Sequence, residues 1–173
     1  LKYYAAAVVA VMIAYSAWEN LLWRSAVAQK MPGVPRSVRG TWRGSLTSLW
    51  VDPGTGRSPA TKTVYLVVRQ SASRAHVTLF SDETTSRSSL AKLTESANGA
   101  SLDYLYLDTP RPAVRHRSPL HHGSGSLHVV GRPATSLSGR YWTDRDSKGE
   151  VEFTARRGRF AEDYGSASAL FDQ

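Results

Sequence analysis

An apolar run without a single charge, residues 3–18, opens the chain, and everything after it is patterned differently. Such a helix leaves water because apolar surface gains free energy by doing so. Sixteen residues rise roughly 24 Å as a helix, at about 1.5 Å each. A bilayer core of about 30 Å asks for more. Extending the run to Trp23 closes the gap and takes in Glu19 and Asn20, whose polar side chains suit an interface or a helix–helix contact. Trp18 and Trp23 fit the aromatic belt at a membrane surface. Arg24, Lys30, Arg36, Arg39 and Arg43 follow, against Lys2 alone in front. The positive-inside rule then predicts a membrane helix with the rest of the chain cytoplasmic. A signal peptide is the second reading, because Ala26-Val27-Ala28 has the form of a cleavage site. The single leading lysine and the polar interruption before that site argue against it. A core helix of a soluble protein is the third. The chain begins at Leu1 rather than at an initiator methionine and reads as a fragment.

Beyond the run, Pro32-Gly33-Val34-Pro35 breaks the helix, and from Gly40 the apolar period shifts to two. The expected organisation is a membrane helix over 1–28, a linker over 29–39, a β-domain over 40–157 and a C-terminal tail over 158–173, either a short cap or frayed. Alternation and turn signals predict strands over 40–50, 63–70, 75–80, 88–95, 101–108, 126–130, 137–142 and 150–156. In the first, Trp42, Gly44, Leu46, Ser48 and Trp50 share a face. In the fifth, Leu102, Tyr104 and Tyr106 oppose Asp103, Leu105 and Leu107. Asn98-Gly99 supplies a tight hairpin turn, since both residues tolerate positive φ. Eight short strands at near-regular spacing predict a mainly β fold, an eight-stranded antiparallel up-and-down barrel. A sandwich has the same periodicity. Closure favours the barrel, because it removes exposed sheet edges.

Charge narrows the partners. Lys and Arg number 22 against 14 Asp and Glu, a formal charge of +8. That excess favours anions: a lipid surface, a nucleotide or a nucleic acid. Arginines and aromatics are scattered rather than drawn into the stripe that a duplex needs, so no DNA or RNA partner is expected. With no cysteine, disulfides, thiolate metal sites and Cys–His catalysis are excluded. Phosphate-loop and nucleophile-elbow motifs are missing from the sequence. His121 and His122, adjacent in an extended chain, face opposite ways and chelate one ion poorly. Asp144 and Asp146 resemble the start of a calcium loop, but Ala155 stands where a bidentate carboxylate is needed. No metal, cofactor or catalytic set is expected, and the chain does not read as an enzyme.

Several segments occur together in order: Gly40-Thr41-Trp42-Arg43-Gly44, Leu66-Val67-Val68-Arg69-Gln70, Val77-Thr78-Leu79-Phe80-Ser81-Asp82-Glu83, Leu102-Asp103-Tyr104-Leu105-Tyr106, His122-Gly123 and Leu137-Ser138-Gly139-Arg140-Tyr141-Trp142-Thr143-Asp144-Arg145. With Lys148-Gly149-Glu150 after the last, they resemble the two-transmembrane, β-strand-rich effectors of bacterial cyclic-oligonucleotide (CBASS) antiphage systems. The likeness runs through nearly the whole chain. It implies an eight-stranded barrel that senses a cyclic dinucleotide made by a partner synthase. It also implies ligand-driven homo-oligomerisation, disruption of the inner membrane and death of the infected cell. The family carries two membrane helices and this chain shows one: if Leu1 is a truncation point the first helix has been lost, and if it is not, the chain departs from the family at the membrane assembly step.

The choice of ligand residues is physical. Bases want flat aromatic faces or edge partners; phosphates want guanidinium or hydroxyl donors. Tyr104, Tyr106 and Tyr141 are candidates for stacking or hydroxyl contacts. Arg145 would meet a phosphate, with Thr143 donating a hydrogen bond. Gln70 would read a base edge, and Thr84, Ser86, Ser88 and His122 would line the barrel mouth. Core filling, strand-edge satisfaction and turn chemistry are the competing roles. Three rival functions stand beside this one: a tethered carrier of an apolar ligand, which needs an aliphatic cavity; a phosphodiesterase, which needs converging carboxylates or a metal; and an exported envelope protein.

Overall fold

The computed structural model describes residues 2–54, 56–96, 99–116 and 118–172; Asn98 of the expected hairpin turn lies outside them. A helix, α1 (Lys2–Asn20), leads into two 3-10 turns, Leu22–Arg24 and Ala28–Lys30. Eight strands follow: β1 (Gly40–Ser48), β2 (Lys62–Gln70), β3 (Ala75–Phe80), β4 (Thr84–Ser96), β5 (Gly99–Pro110), β6 (His121–Val130), β7 (Ser136–Thr143) and β8 (Lys148–Arg157). Each pairs antiparallel with the next, and β8 returns to β1, so the sheet is a closed up-and-down barrel.

The inward face is the one the alternation marks. Along β5, Ala100, Leu102, Tyr104, Tyr106 and Asp108 are buried, while Asp103, Leu105 and Leu107 are exposed. β2 departs from alternation because it is covered on both sides. Val64, Leu66 and Val68 enter the barrel core; Tyr65 and Val67 pack outward against Phe80, Ala161, Ala167 and Phe171. The tail after β8 is therefore a cap. Its helix α2 (Tyr164–Ala169) begins at Asp163, whose carboxylate accepts from the Ser166 N–H at 2.7 Å in a reciprocal capping box. Thr41 ties this cap to β1: its hydroxyl donates to the Arg159 carbonyl and accepts from the Ala161 N–H, fully buried.

One end of the barrel is plugged. Val38 and Trp42 fill it, with the Trp42 indole donating to the Val38 carbonyl at 2.8 Å. Buried Gln29 donates to the carbonyls of Trp23 and Pro35 and accepts from the Ser37 N–H. Gln70 accepts from the Val38 N–H and donates to the Arg36 carbonyl, at 2.8 and 2.9 Å.

α1 leaves from this plugged end. The apolar segment Tyr3–Arg24 is the one stretch among the described residues long and apolar enough to cross a membrane. From Tyr3 to Ser16 its side chains are exposed around the whole circumference, so the barrel does not supply the apolar surroundings such a helix needs. Trp23 differs from the expectation of a belt residue. It is fully buried with Ala28 and Val34, because the chain turns at Asn20 and folds back onto the barrel. Glu19 also has a local role. Its carboxylate accepts from the hydroxyls of Ser71 and Ser73 and from the Ser73 N–H, and its carbonyl accepts from the Ala72 N–H, fastening α1 to the β2–β3 turn.

Candidate functional site

The opposite rim opens into a cavity of about 700 Å³, within the range of roughly 300–1,000 Å³ that small-molecule sites occupy. Its deep wall is aliphatic, with Leu46, Val64, Leu79 and Val151; its middle is a band of Tyr104, Tyr106 and Tyr141; its lip is polar.

Glycines make room for the tyrosine band. In the strand register Tyr104 stands opposite Gly125, Tyr106 opposite Gly123, and Tyr141 opposite both Gly125 and Gly149. A Cβ on Gly123 would lie 2.4 Å from the Tyr106 ring and hydroxyl, and one on Gly125 would lie 2.5 Å from the Tyr104 ring. The Gly-Ser-Gly step in β6 thus gives up two inward side chains so that neighbouring rings can lie flat against its backbone. The Tyr104 and Tyr106 centroids are 5.8 Å apart, a tilted pair. Burial raises the ionisation of all three phenols above its ordinary position near 10; Tyr104, Asp108, Tyr141 and Asp144 add to this for Tyr106, and a hydrogen bond with Ser48 partly offsets it for Tyr141. The phenols are neutral donors and acceptors at physiological pH and place no negative charge against an anionic ligand.

The lip carries charge of both signs. Asp108 is buried and accepts from the Ser86 hydroxyl at 2.5 Å, and its second oxygen is 3.8 Å from His121 Nδ1. Lys62 bridges to Glu83 at 2.7 Å and Asp82 at 3.5 Å. Burial lowers the Lys62 pKa, but the hydrogen bond and charges of Glu83 and Asp82 outweigh it, so the ammonium is held above its ordinary range. Arg145 leaves the β7–β8 turn and donates to the Ser118 hydroxyl at 3.0 Å, exposed at the mouth. Thr143 stays in that turn, its hydroxyl 2.7 Å from that of Ser147.

Seven of the ten residues singled out from the sequence line this cavity: Thr84, Ser86, Tyr104, Tyr106, Tyr141, Thr143 and Arg145. Three lie elsewhere. Gln70 is at the plugged end, spent on the Val38 and Arg36 backbone. Ser88 faces the place where β3 and β4 part; its hydroxyl accepts from the Val77 N–H at 2.9 Å, which the ladder leaves over. His122 points outward, and its neighbour His121 faces the cavity. The pairing of Gly123 with Tyr106 sets that parity. Asp108, His121 and Lys62 were missed. Asp108 was within reach, since it continues the Leu102, Tyr104, Tyr106 alternation by one step. Among the described residues no group of His, Asp and Glu is placed to hold a metal ion.

A closed barrel with one plugged end and one open, tyrosine-banded end has room for a compact ligand with flat and polar parts. The profile described as Cap15, cyclic dinucleotide receptor domain, matches residues 34–156. The chain belongs to this family. A curated relative, the CD-NTase-associated protein 15 of Staphylococcus schleiferi, is 30% identical over 90 residues, which cover 52% of this chain. The chain spans about half the length of that relative, 48% of it.

Proposed function

We propose that the open cavity binds a cyclic dinucleotide and that the chain is a membrane-anchored effector of bacterial antiphage signalling. The observation that carries this reading is the tyrosine band under a polar, arginine-bearing lip, in a chain of the cyclic dinucleotide receptor family. Bases stack on or between the neutral phenols, whose hydroxyls also reach base edges. Arg145 meets a phosphate from the rim, with Thr143 and Ser86 as hydroxyl partners. Asp108 and His121 are placed to read a base edge. A carrier of an apolar ligand would favour a wholly aliphatic wall, whereas here only the deep wall is aliphatic. The ligand comes from a partner cyclic-nucleotide synthase. α1 anchors the protein in the inner membrane with the barrel cytoplasmic, and the liganded state assembles with further copies and breaches the bilayer. Ligand must favour the assembled state over the resting one for this to follow.

Calorimetry on the full chain in detergent, across purine and pyrimidine cyclic dinucleotides, tests the binding step. Binding by at least one member is expected, weakened by Tyr106→Ala. No heat and no thermal shift for any of them would end the proposal. The membrane step is tested by co-expression with the synthase: Val11→Glu is expected to abolish killing, and undiminished killing would remove the anchor from the mechanism.

A further inference from the structure

The plugged end of the barrel carries a second, shallower cleft, far from the ligand cavity. Asn20 at the end of α1, Arg39, Arg69 and Arg74 line it, with Phe160 as its floor. Two guanidiniums lie over the Phe160 ring, Arg39 at 4.3 Å and Arg69 at 4.6 Å from its centroid. Stacking fixes both without consuming their N–H donors.

Most arginines at this end are committed to structure. Arg36 and Arg132 donate to backbone carbonyls and pair with Glu95. Arg156 donates to the carbonyls of Ser37 and Ala134. The cleft arginines are under-compensated by comparison. Arg69 has Glu162 at 2.7 Å, an exposed partner. Glu19 faces Arg74 but is occupied by Ser71 and Ser73. Arg39 has no carboxylate within salt-bridge distance among the described residues, and beside it stand Arg24 and Arg69. Partial burial, then those two like charges, lower its pKa, the electrostatic signature of a site that gains from an anion.

We propose that this cleft docks the headgroup of an anionic phospholipid, its phosphate held by Arg39 and Arg69 with Arg74 at the edge. Position identifies the source of the phosphate. Asn20 closes the apolar helix, so the cleft sits where α1 leaves the hydrocarbon. Leu21 and Leu22, the next two residues, are 55% and 53% exposed, and Val27 and Met31, a few residues further on, are exposed as well. A soluble anion would need none of these; a headgroup arrives with acyl chains that cover them. Docking would hold the barrel's plugged end against the bilayer and leave the ligand mouth facing away. The inference rests on the reading of α1 as a membrane anchor and not on the cyclic dinucleotide reading of the cavity.

The test is native mass spectrometry of the full chain released from detergent micelles, with phosphatidylglycerol or phosphatidylcholine of identical acyl chains. Wild type is expected to retain phosphatidylglycerol about tenfold over phosphatidylcholine, and R39Q/R69Q to lose most of that preference. R140Q, on the outer wall, keeps it. R74Q, an exposed change that leaves the fold intact, lowers it part of the way. Millimolar inorganic phosphate is expected to leave the lipid bound. Equal retention of the two lipids by wild type, an unchanged preference in both R39Q/R69Q and R74Q, or displacement by inorganic phosphate would each overturn the proposal, the last in favour of a free-anion site.

Discussion

Replacing Gly125 by alanine tests whether the backbone of β6 sets the tyrosine wall. The new Cβ would lie 2.5 Å from Tyr104 Cζ, 2.6 Å from its hydroxyl oxygen and 2.7 Å from Cε1. Carbon contacts are comfortable near 3.5 Å, so the ring must withdraw by about 1 Å. Tyr104 is 6% exposed and leans on Tyr106, so lateral movement is blocked and the ring is driven toward the lumen. Overpacking of this kind costs about 1–3 kcal/mol. At about 2 kcal/mol, Tm falls by roughly 4–8 °C for a chain of this size. Tyr104→Leu removes Cζ, Cε1 and the hydroxyl together. In that background the added methyl meets space, and Gly125→Ala should cost less than about 0.5 kcal/mol, an interaction energy of about 1–2 kcal/mol across the cycle. The intrinsic gain from replacing glycine within a strand cancels in the same cycle. Thermal unfolding of the four forms in one detergent, followed by circular dichroism, reads it out. An unshifted Tm for Gly125→Ala, or an equal loss in both backgrounds, would refute the steric account of the Gly-Ser-Gly step.

Three further outcomes are expected. Tyr104 and Tyr106 have ionisation raised by burial, so the stability they confer is complete below their unfolded value near 10 and is lost as pH climbs above it; alkaline unfolding should steepen by about 1.4 kcal/mol per pH unit for each phenol, and Tyr104→Phe with Tyr106→Phe should remove that slope. Thr41→Val strands the Arg159 carbonyl and the Ala161 N–H beneath the C-terminal cap and should cost about 1–3 kcal/mol in denaturant unfolding. Arg145→Gln should weaken cyclic dinucleotide binding about tenfold and flatten its salt dependence while leaving Tm in place, because Arg145 is exposed and a charge-assisted phosphate contact is worth roughly 1.5–3 kcal/mol.

The barrel was legible because half-buried strands must alternate, and all eight predicted strands end within about two residues of the observed C-terminal ends. The errors fall where alternation is silent. β4 begins at Thr84 rather than 88, since Thr84, Thr85 and Ser86 carry no apolar marker. β6 begins at His121 rather than 126, since its inward positions are glycines and the period-two signal sits on the partner strand. Two glycines at alternate positions beside a Tyr-x-Tyr strand were the available clue. Trp23 reads as a belt residue by type and spacing, yet a 3-10 turn after Asn20 redirects it into the protein. Gln70 has the donors and acceptor to read a base, and the same groups satisfy two backbone partners at the plug; side-chain chemistry alone does not distinguish these uses.

An eight-stranded barrel is wide enough to be filled by side chains or to hold one small ligand, and this one does each along a different half of the same strands. The plugged half contains Trp42, Leu127, Leu137 and Phe153, all fully buried, with Val38 as its stopper. The open half replaces such groups with phenols, hydroxyls and glycines, so its lumen tolerates water and contributes less to cohesion. Stability and recognition are therefore separated along the barrel axis. The helix is attached to the solid half, through Gln29, Gln70 and Glu19, by hydrogen bonds that no molecule in the open cavity touches. On the proposed mechanism, a ligand at the mouth can bias α1 only through the strands themselves or through contacts made at the open rim between copies. The close packing of the plugged half, which yields little to small displacements, makes the rim the softer of the two routes.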